Sequence, residues 1–123
     1  MDVVNLDSKL SQIADAWKPH VVGQVNESLV KLVKFRGEFV WHYHANEDEM
    51  FLVIRGRLKM MLNDYGHRRE VIVNPGEFVI VPRMVEHMPV AEEEVHVMLF
   101  EPATTINTGS AGGERTIVDL PRL

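Results

Sequence analysis

Residues 37–56 read GEFVWHYHANEDEMFLVIRG, and the interpretation of the whole chain starts from this stretch. His42 and His44 are one residue apart within a run of aromatic and β-branched side chains, which favours a strand. Because side chains alternate across a strand, both imidazoles lie on one face, about 6–7 Å apart at the backbone. Glu49 follows a short acidic loop and begins the next apolar run, so its carboxylate can return beside the two histidines.

Short apolar runs separated by turn residues fill most of the remaining chain. The sequence predicts strands at 20–25, 28–35, 38–44, 50–54, 57–62, 68–73, 78–81, 85–90, 94–101 and 116–120. Short strands at this spacing favour an all-β sandwich or barrel over a fold of alternating strands and helices. We expect a core of Phe51, Val53, Leu58, Met60, Leu62, Phe78, Ile80 and Met98.

The two ends of the chain differ from this pattern. Leu6, Leu10, Ile13, Ala14 and Trp17 recur at helical spacing, which predicts one short helix at about 6–17. Residues 104–114 are rich in Thr, Gly, Ser and Asn and are typical of a surface loop. We therefore expect a single domain over 1–123, with a core barrel at about 28–101 and a C-terminal loop and strand at 102–123.

A third histidine completes a possible metal site. His87 lies far along the chain, just after the Val81-Pro82 break, and can reach His42, His44 and Glu49 from another strand. A transition metal would bind the imidazole nitrogens at about 2.0–2.1 Å. Three imidazoles and one carboxylate suit Fe, Mn, Ni, Co, Cu or Zn better than Ca or Mg, so we predict one divalent transition-metal ion.

These residues resemble the two motifs of the cupin family. The first motif is matched by Gly37, the His-x-His pair, Glu49 and Gly56, and the second by Gly76, Pro82 and His87. The chain departs from the motifs in the spacing of Gly37, in Met84, which stands where the second motif has glycine, and in Ala91, which replaces its asparagine. The resemblance spans residues 37–87 and implies a jelly-roll barrel, a double-stranded β-helix, with metal ligands His42, His44, Glu49 and His87.

The resemblance implies a metal-dependent enzyme acting on a small organic molecule, with dioxygenases, isomerases, epimerases and lyases as possible classes. One alternative is a non-catalytic module that binds or senses a sugar or organic acid. Another is a structural homodimer with a vestigial site. His96 and Tyr43 are candidates for assisting the ligands or transferring protons. Glu47 and Asp48 are expected to be solvated loop carboxylates, and Arg57 and Arg83 surface arginines.

Composition narrows the partners and the compartment. The chain has no cysteine, which excludes disulfides and thiolate ligands and fits a reducing cytoplasm. Its net charge is −5 with no basic stripe, so no nucleic-acid partner is expected. No apolar run approaches the roughly 20 residues that cross a bilayer, so no membrane partner is expected either. Trp41 faces away from the two histidines and is a candidate anchor of a homodimer interface.

Overall fold

The computed structural model describes residues 1–123, and its regular elements are seven strands in antiparallel pairing and one short helix, which confirms the all-β prediction. The elements are α1 Leu6–Leu10, β1 His20–Val25, β2 Ser28–Glu38, β3 Glu49–Arg55, β4 Leu58–Asp64, β5 His67–Val73, β6 Phe78–Val81 and β7 Glu86–Pro102. No helix has the length and hydrophobicity needed to cross a membrane.

Strand β7 connects the two parts of the sheet. Residues 86–90 of this strand pair with β4, residues 96–100 pair with β3, and residues 90–102 pair with β2 around an irregularity at 92–94. The strand order is β1-β2-β7-β3-β6, and β5 and β4 continue from the other half of β7. Since β7 belongs to both parts of the sheet, the two parts enclose one interior.

The interior is filled by the inward side of the strands. Along β4, for example, Leu58, Met60 and Leu62 are buried while the residues between them are not, as strand alternation requires. A second, smaller cluster lies on the outer side of β1 and β2, under the N-terminal segment. It contains Leu10, Ile13, Val22 and Leu32.

The N-terminal helix is shorter than the predicted 6–17: after Leu10 it tightens into turns that end at Ile13, and tertiary hydrogen bonds hold the chain at Trp17. Trp17 donates its backbone N–H to Lys34 O at 2.8 Å and its indole N–H to Arg36 O at 2.8 Å. Its φ of 63° is also incompatible with a helix. The segment is therefore pinned to the edge of β2.

The predicted strands at 38–44, 85–90, 94–101 and 116–120 also need correction. Residues 39–44 are paired with β7 only at intervals, through Phe39 N–H to Pro89 O and a mutual pair between His42 and His87. The two strands near the C-terminus are one strand, β7, in which Glu92–Glu94 lie opposite a bulge in the pairing with β2. Residues 116–120 form no strand, and Arg122 makes only an isolated bridge with Val21.

Two residues predicted for the core lie on the surface instead. Phe78 and Ile80 are 57% and 53% exposed. In β6 it is Val79 and Val81 that pack against the interior, so alternation turns Phe78 and Ile80 outward. Met98 packs against the outer cluster beneath the N-terminal segment, while the other five predicted core residues are in the interior.

Candidate metal centre

Three separate segments deliver the predicted ligands to one point inside the barrel. His42 and His44 lie on the segment after β2, Glu49 is the first residue of β3, and His87 is the second residue of β7. The backbone of His42 pairs with that of His87, which sets their side chains next to each other. All four side chains are buried, with at most 4% exposure.

The four side chains converge closely enough to share one ion. One potential ligand atom from each residue lies within 4.8 Å of all the others. Glu49 Oε1 is 3.2 Å from His44 Nε2 and 3.4 Å from His87 Nε2. The ring centroids of His42 and His87 are 4.2 Å apart. Metal–ligand distances of about 2 Å from a common centre are compatible with this spacing.

Backbone carbonyls orient two of the imidazoles. His42 Nδ1 donates to Val40 O at 2.9 Å, and His87 Nδ1 donates to Val85 O at 2.9 Å, because a carbonyl oxygen can only accept. The ring proton is then on Nδ1, and the lone pair of Nε2 is free to bind a metal.

The converging atoms lack hydrogen bonds within the protein. His44 Nε2, His87 Nε2 and Glu49 Oε1 are buried and have no hydrogen-bond partner. For His87 the reason is chemical, since a deprotonated Nε2 and a carboxylate oxygen are both acceptors. Buried polar atoms are rarely left without partners, so this cluster has the donor set and the unmet bonding capacity that a metal ion would satisfy.

The protonation of the cluster also fits metal binding. Burial and the neighbouring His87 lower the pKa of His42 to about 4, so this imidazole is neutral at neutral pH. Burial alone would raise the pKa of Glu49, but contacts with Glu101, His44 and His87 hold it well below its usual value. A neutral imidazole and an ionised carboxylate are the forms that ligate metals.

Two further buried residues adjoin the cluster, and the sequence analysis did not identify either. Glu101 at the end of β7 and Lys31 in β2 are each 2% exposed, and Lys31 Nζ lies 2.8 Å from Glu101 Oε1. Burial and the adjacent Glu49 raise the pKa of Glu101 well above its usual value. The detectable signal was a charged residue on the inward side of each strand: Lys31 alternates with Leu29 and Val33, and Glu101 follows Val97 and Leu99.

A narrow cavity of about 30 Å³ adjoins the cluster, with room for one or two water molecules. Its polar lining includes His42, Glu49 and Glu101. Its apolar wall includes Trp17, which is stacked between Phe35 and Phe39 at centroid distances of 4.4 and 4.9 Å. The N-terminal segment therefore supplies part of the wall beside the candidate site.

The C-terminal loop packs against the other side of the cluster. A β-carbon at Gly109, whose φ is 48°, would collide with Tyr43 O and lie 3.0 Å from His44 Nδ1. Ser110 holds the same segment by exchanging hydrogen bonds with the backbone of Tyr43. Only a residue without a side chain allows this close approach to His44.

The backbone conformation at Met84 shows why the second motif usually has glycine at this position. Its φ is 71°, a left-handed conformation that glycine adopts without strain and methionine does not. The turn is nevertheless formed, and the Met84 N–H donates to His44 O at 2.8 Å. The substitution therefore leaves the convergence of the four candidate ligands intact.

The other predicted site residues are not brought to the cluster. His96 lies between the core residues Val95 and Val97, faces the opposite side of the sheet, and contacts Glu94 Oε2 through Nε2 at 2.9 Å. Tyr43 likewise alternates with the two buried histidines and points away from them.

The acidic loop and the predicted surface residues have other contacts. Glu47 accepts a hydrogen bond from Thr104, and exposed Asp48 accepts one from the backbone N–H of Arg83. Arg57 is exposed, as expected. Trp41 is half-buried, with the Arg68 guanidinium 5.1 Å from its ring centre.

Comparison with known proteins identifies the family and agrees with the fold. Residues 28–101 match the sequence profile of the cupin domain. A cupin-2 domain protein of Shewanella frigidimarina has 40% identity and a TM-score of 0.77, covering 81% of this chain and 94% of its own. An uncharacterised Bacillus subtilis protein is 26% identical over 83 residues, 68% of this chain and 71% of its own. The Fe³⁺ complex of hydroquinone 1,2-dioxygenase PnpCD has a TM-score of 0.75 at 20% identity, covering 85% of this chain and 33% of its own.

Proposed function

The chain belongs to the cupin family, and from this premise we propose that it is a metal-dependent enzyme acting on a small organic molecule. We propose His42, His44, Glu49 and His87 as the ligands of one divalent transition-metal ion. The observation that carries the proposal is the convergence of buried imidazole and carboxylate atoms without hydrogen-bond partners. When bound, such an ion would supply Lewis acidity or redox chemistry.

The residues around the ligands would prepare the site for that ion. Carbonyls of Val40 and Val85 hold two rings with Nε2 toward the centre, so little reorganisation is needed on binding. Phe35, Phe51 and Leu99 line the adjoining cavity and would exclude water from the reacting group. The limited size of that cavity supports a small substrate, or one that enters when Trp17 moves.

The reaction class is the part of the proposal that most needs experiment. The iron-bound structural neighbour is a hydroquinone dioxygenase, which supports testing oxygen-dependent oxidation of small phenols first. Isomerase, epimerase and lyase activities use the same kind of metal site and are tested next.

Metal titration of the metal-free protein tests the proposal. We expect one Fe²⁺, Mn²⁺ or Zn²⁺ ion per chain by anaerobic calorimetry, and no binding to His42→Ala. Oxygen consumption and product analysis with panels of phenols, sugars and keto acids would then identify turnover. Absence of stoichiometric metal binding would overturn the proposed site, and binding of metal and ligand without turnover would identify a non-catalytic binding module.

We also propose that the protein is a homodimer. Phe78 and Ile80 on the edge strand β6 support an interface there, because a second copy would remove both side chains from water. Trp41 remains the alternative anchor, although Arg68 already covers part of its ring. The cysteine-free sequence supports a reducing compartment such as the cytoplasm.

A further inference from the structure

Lys31 and Glu101 form an ion pair inside the barrel. Lys31 lies opposite Leu99 in the pairing of β2 with β7, which makes Glu101 its diagonal neighbour on the inner face. The Nζ–Oε1 distance is 2.8 Å and both side chains are almost fully buried. The second oxygen of Glu101, Oε2, is buried and has no hydrogen-bond donor.

Stability alone does not account for this pair. Removing two charges from water carries a desolvation penalty that their mutual attraction often fails to exceed, and well-packed apolar residues commonly replace such pairs without loss. The surrounding β2 and β7 residues Leu29, Val33, Val97 and Leu99 are apolar and buried, so an apolar pair would suit this environment. The position of the pair relative to the metal centre offers a more specific explanation.

Glu101 connects the pair to the candidate metal centre. Met50 lies opposite Phe100 in the pairing of β3 with β7, so the same register sets Glu101 opposite Glu49, and both residues line the same narrow cavity. Glu49 Oε1 is the atom that faces His44 and His87. A group held firmly against Glu49 restricts the rotation of its carboxylate and so determines which oxygen faces the imidazoles.

We propose that Lys31 and Glu101 are positioning residues of the metal centre: Lys31 anchors Glu101, and Glu101 holds Glu49 with Oε1 directed at the three imidazoles. This inference rests on the proposed function, since it assigns a role at the same site. It adds an acidic residue and a lysine that the ligand motif does not include. It predicts that metal affinity and coordination geometry depend on a pair that does not itself bind the ion.

The chain contains a matched control. Lys59 and Glu92 pair at the same Nζ–Oε1 distance of 2.8 Å, also between neighbouring strands, but on the surface and away from the ligands. The test compares Glu101→Gln with Glu92→Gln by titrating each metal-free protein with Co²⁺. The visible absorption of bound Co²⁺ reports the geometry of its ligands, which a purely structural role of Glu101 would leave unchanged.

We expect Glu101→Gln to weaken Co²⁺ binding by about 10- to 100-fold, the usual range for a residue that orients a ligand. Its Co²⁺ spectrum should also differ from that of the wild type. Glu92→Gln should match the wild type in both measurements. Equal affinity and an identical spectrum for Glu101→Gln would overturn the inference.

A second variant separates positioning from folding. Lys31→Met/Glu101→Gln removes both charges together and avoids leaving a buried lysine without its partner. It should fold, bind Co²⁺ as weakly as Glu101→Gln, and show the same altered spectrum; wild-type binding by this variant would contradict the inference. If the wild type itself binds no Co²⁺, the proposed metal site fails, and this result is distinguishable from failure of the positioning role.

Discussion

The interior cluster and the outer side of β6 depart from the usual distribution of residues in opposite directions. The six buried ionisable side chains belong to one connected group: Lys31, His42, His44, Glu49, His87 and Glu101. On β6, by contrast, the large apolar side chains of Phe78 and Ile80 are more than half exposed. Buried polar groups and exposed apolar groups are the informative exceptions to the usual burial pattern. Each carries an unfavourable free energy that a bound ligand or partner would remove.

The two regions therefore differ in what would satisfy them. The interior cluster offers lone pairs and negative charge in a space of atomic dimensions, which suits a metal ion. The outer side of β6 offers an apolar surface at the edge of a sheet, which suits another protein surface.

The largest effect is expected from loss of a ligand. His87→Ala should reduce metal affinity beyond the about 10- to 100-fold loss that follows removal of a residue merely orienting a ligand. His67, exposed at the start of β5, supplies the control His67→Ala. Elemental analysis and calorimetry check the result, and equal metal content in the two variants would refute the ligand assignment.

The buried ion pair should matter far more for folding than its surface counterpart. Lys31→Met removes the hydrogen-bond donor of buried Glu101 and should lower the free energy of unfolding by about 1–3 kcal/mol. Lys59→Met removes a lysine whose glutamate partner is exposed to solvent and should have a much smaller effect. Urea denaturation of the metal-free proteins at neutral pH measures the difference, and similar midpoints would contradict the contrast.

Lowering the pH should destabilise the folded protein, because a proton would bind to the buried imidazole of His42. Its pKa is 6.5 when unperturbed and about 4 in the folded protein, so the unfolded chain binds a proton more readily. The associated stability is present in full above pH 6.5 and is lost as pH falls toward 4. The shift corresponds to about 3 kcal/mol.

The comparison with His42→Gln isolates this contribution. The raised pKa of Glu101 acts in the opposite direction, adding stability below its folded pKa that is lost as pH rises through it, and both proteins share this effect. In metal-free samples, the free energy of unfolding of the wild type should decrease relative to His42→Gln from pH 6.5 to 4. Parallel pH profiles for the two proteins would show that His42 titrates normally.

The interior cluster was only partly predictable from sequence. The His-x-His spacing placed two imidazoles on one face because alternation in extended chain is a local property. Glu49 was added because it begins the next strand and His87 because it can approach from another strand, and the family resemblance supported both. Lys31 and Glu101 were missed because their meeting depends on the register between β2 and β7, 70 residues apart in the chain.

Tertiary contacts also explain the errors elsewhere. The periodicity of residues 6–17 indicated a helix, but hydrogen bonds from Trp17 to β2 prevail over that local preference. On β6, apolar character alone could not indicate which alternate residues face inward, so Phe78 and Ile80 were assigned to the core. A local pattern shows that side chains alternate between the two sides of a strand, and tertiary packing determines which set faces the interior.

The smallest effect on folding is expected on the outer side of β6. Phe78→Lys/Ile80→Lys places charges where a second copy would bind, so the mass by light scattering should fall from dimer to monomer. The free energy of unfolding of the monomer should change by no more than about 0.5 kcal/mol per site, because both side chains are already exposed. Val118→Lys, at an apolar residue exposed elsewhere, should leave the mass unchanged. If the dimer survives the β6 substitutions but dissociates in Trp41→Ala, the interface lies at Trp41. The exposure of Phe78 and Ile80 would then need another explanation.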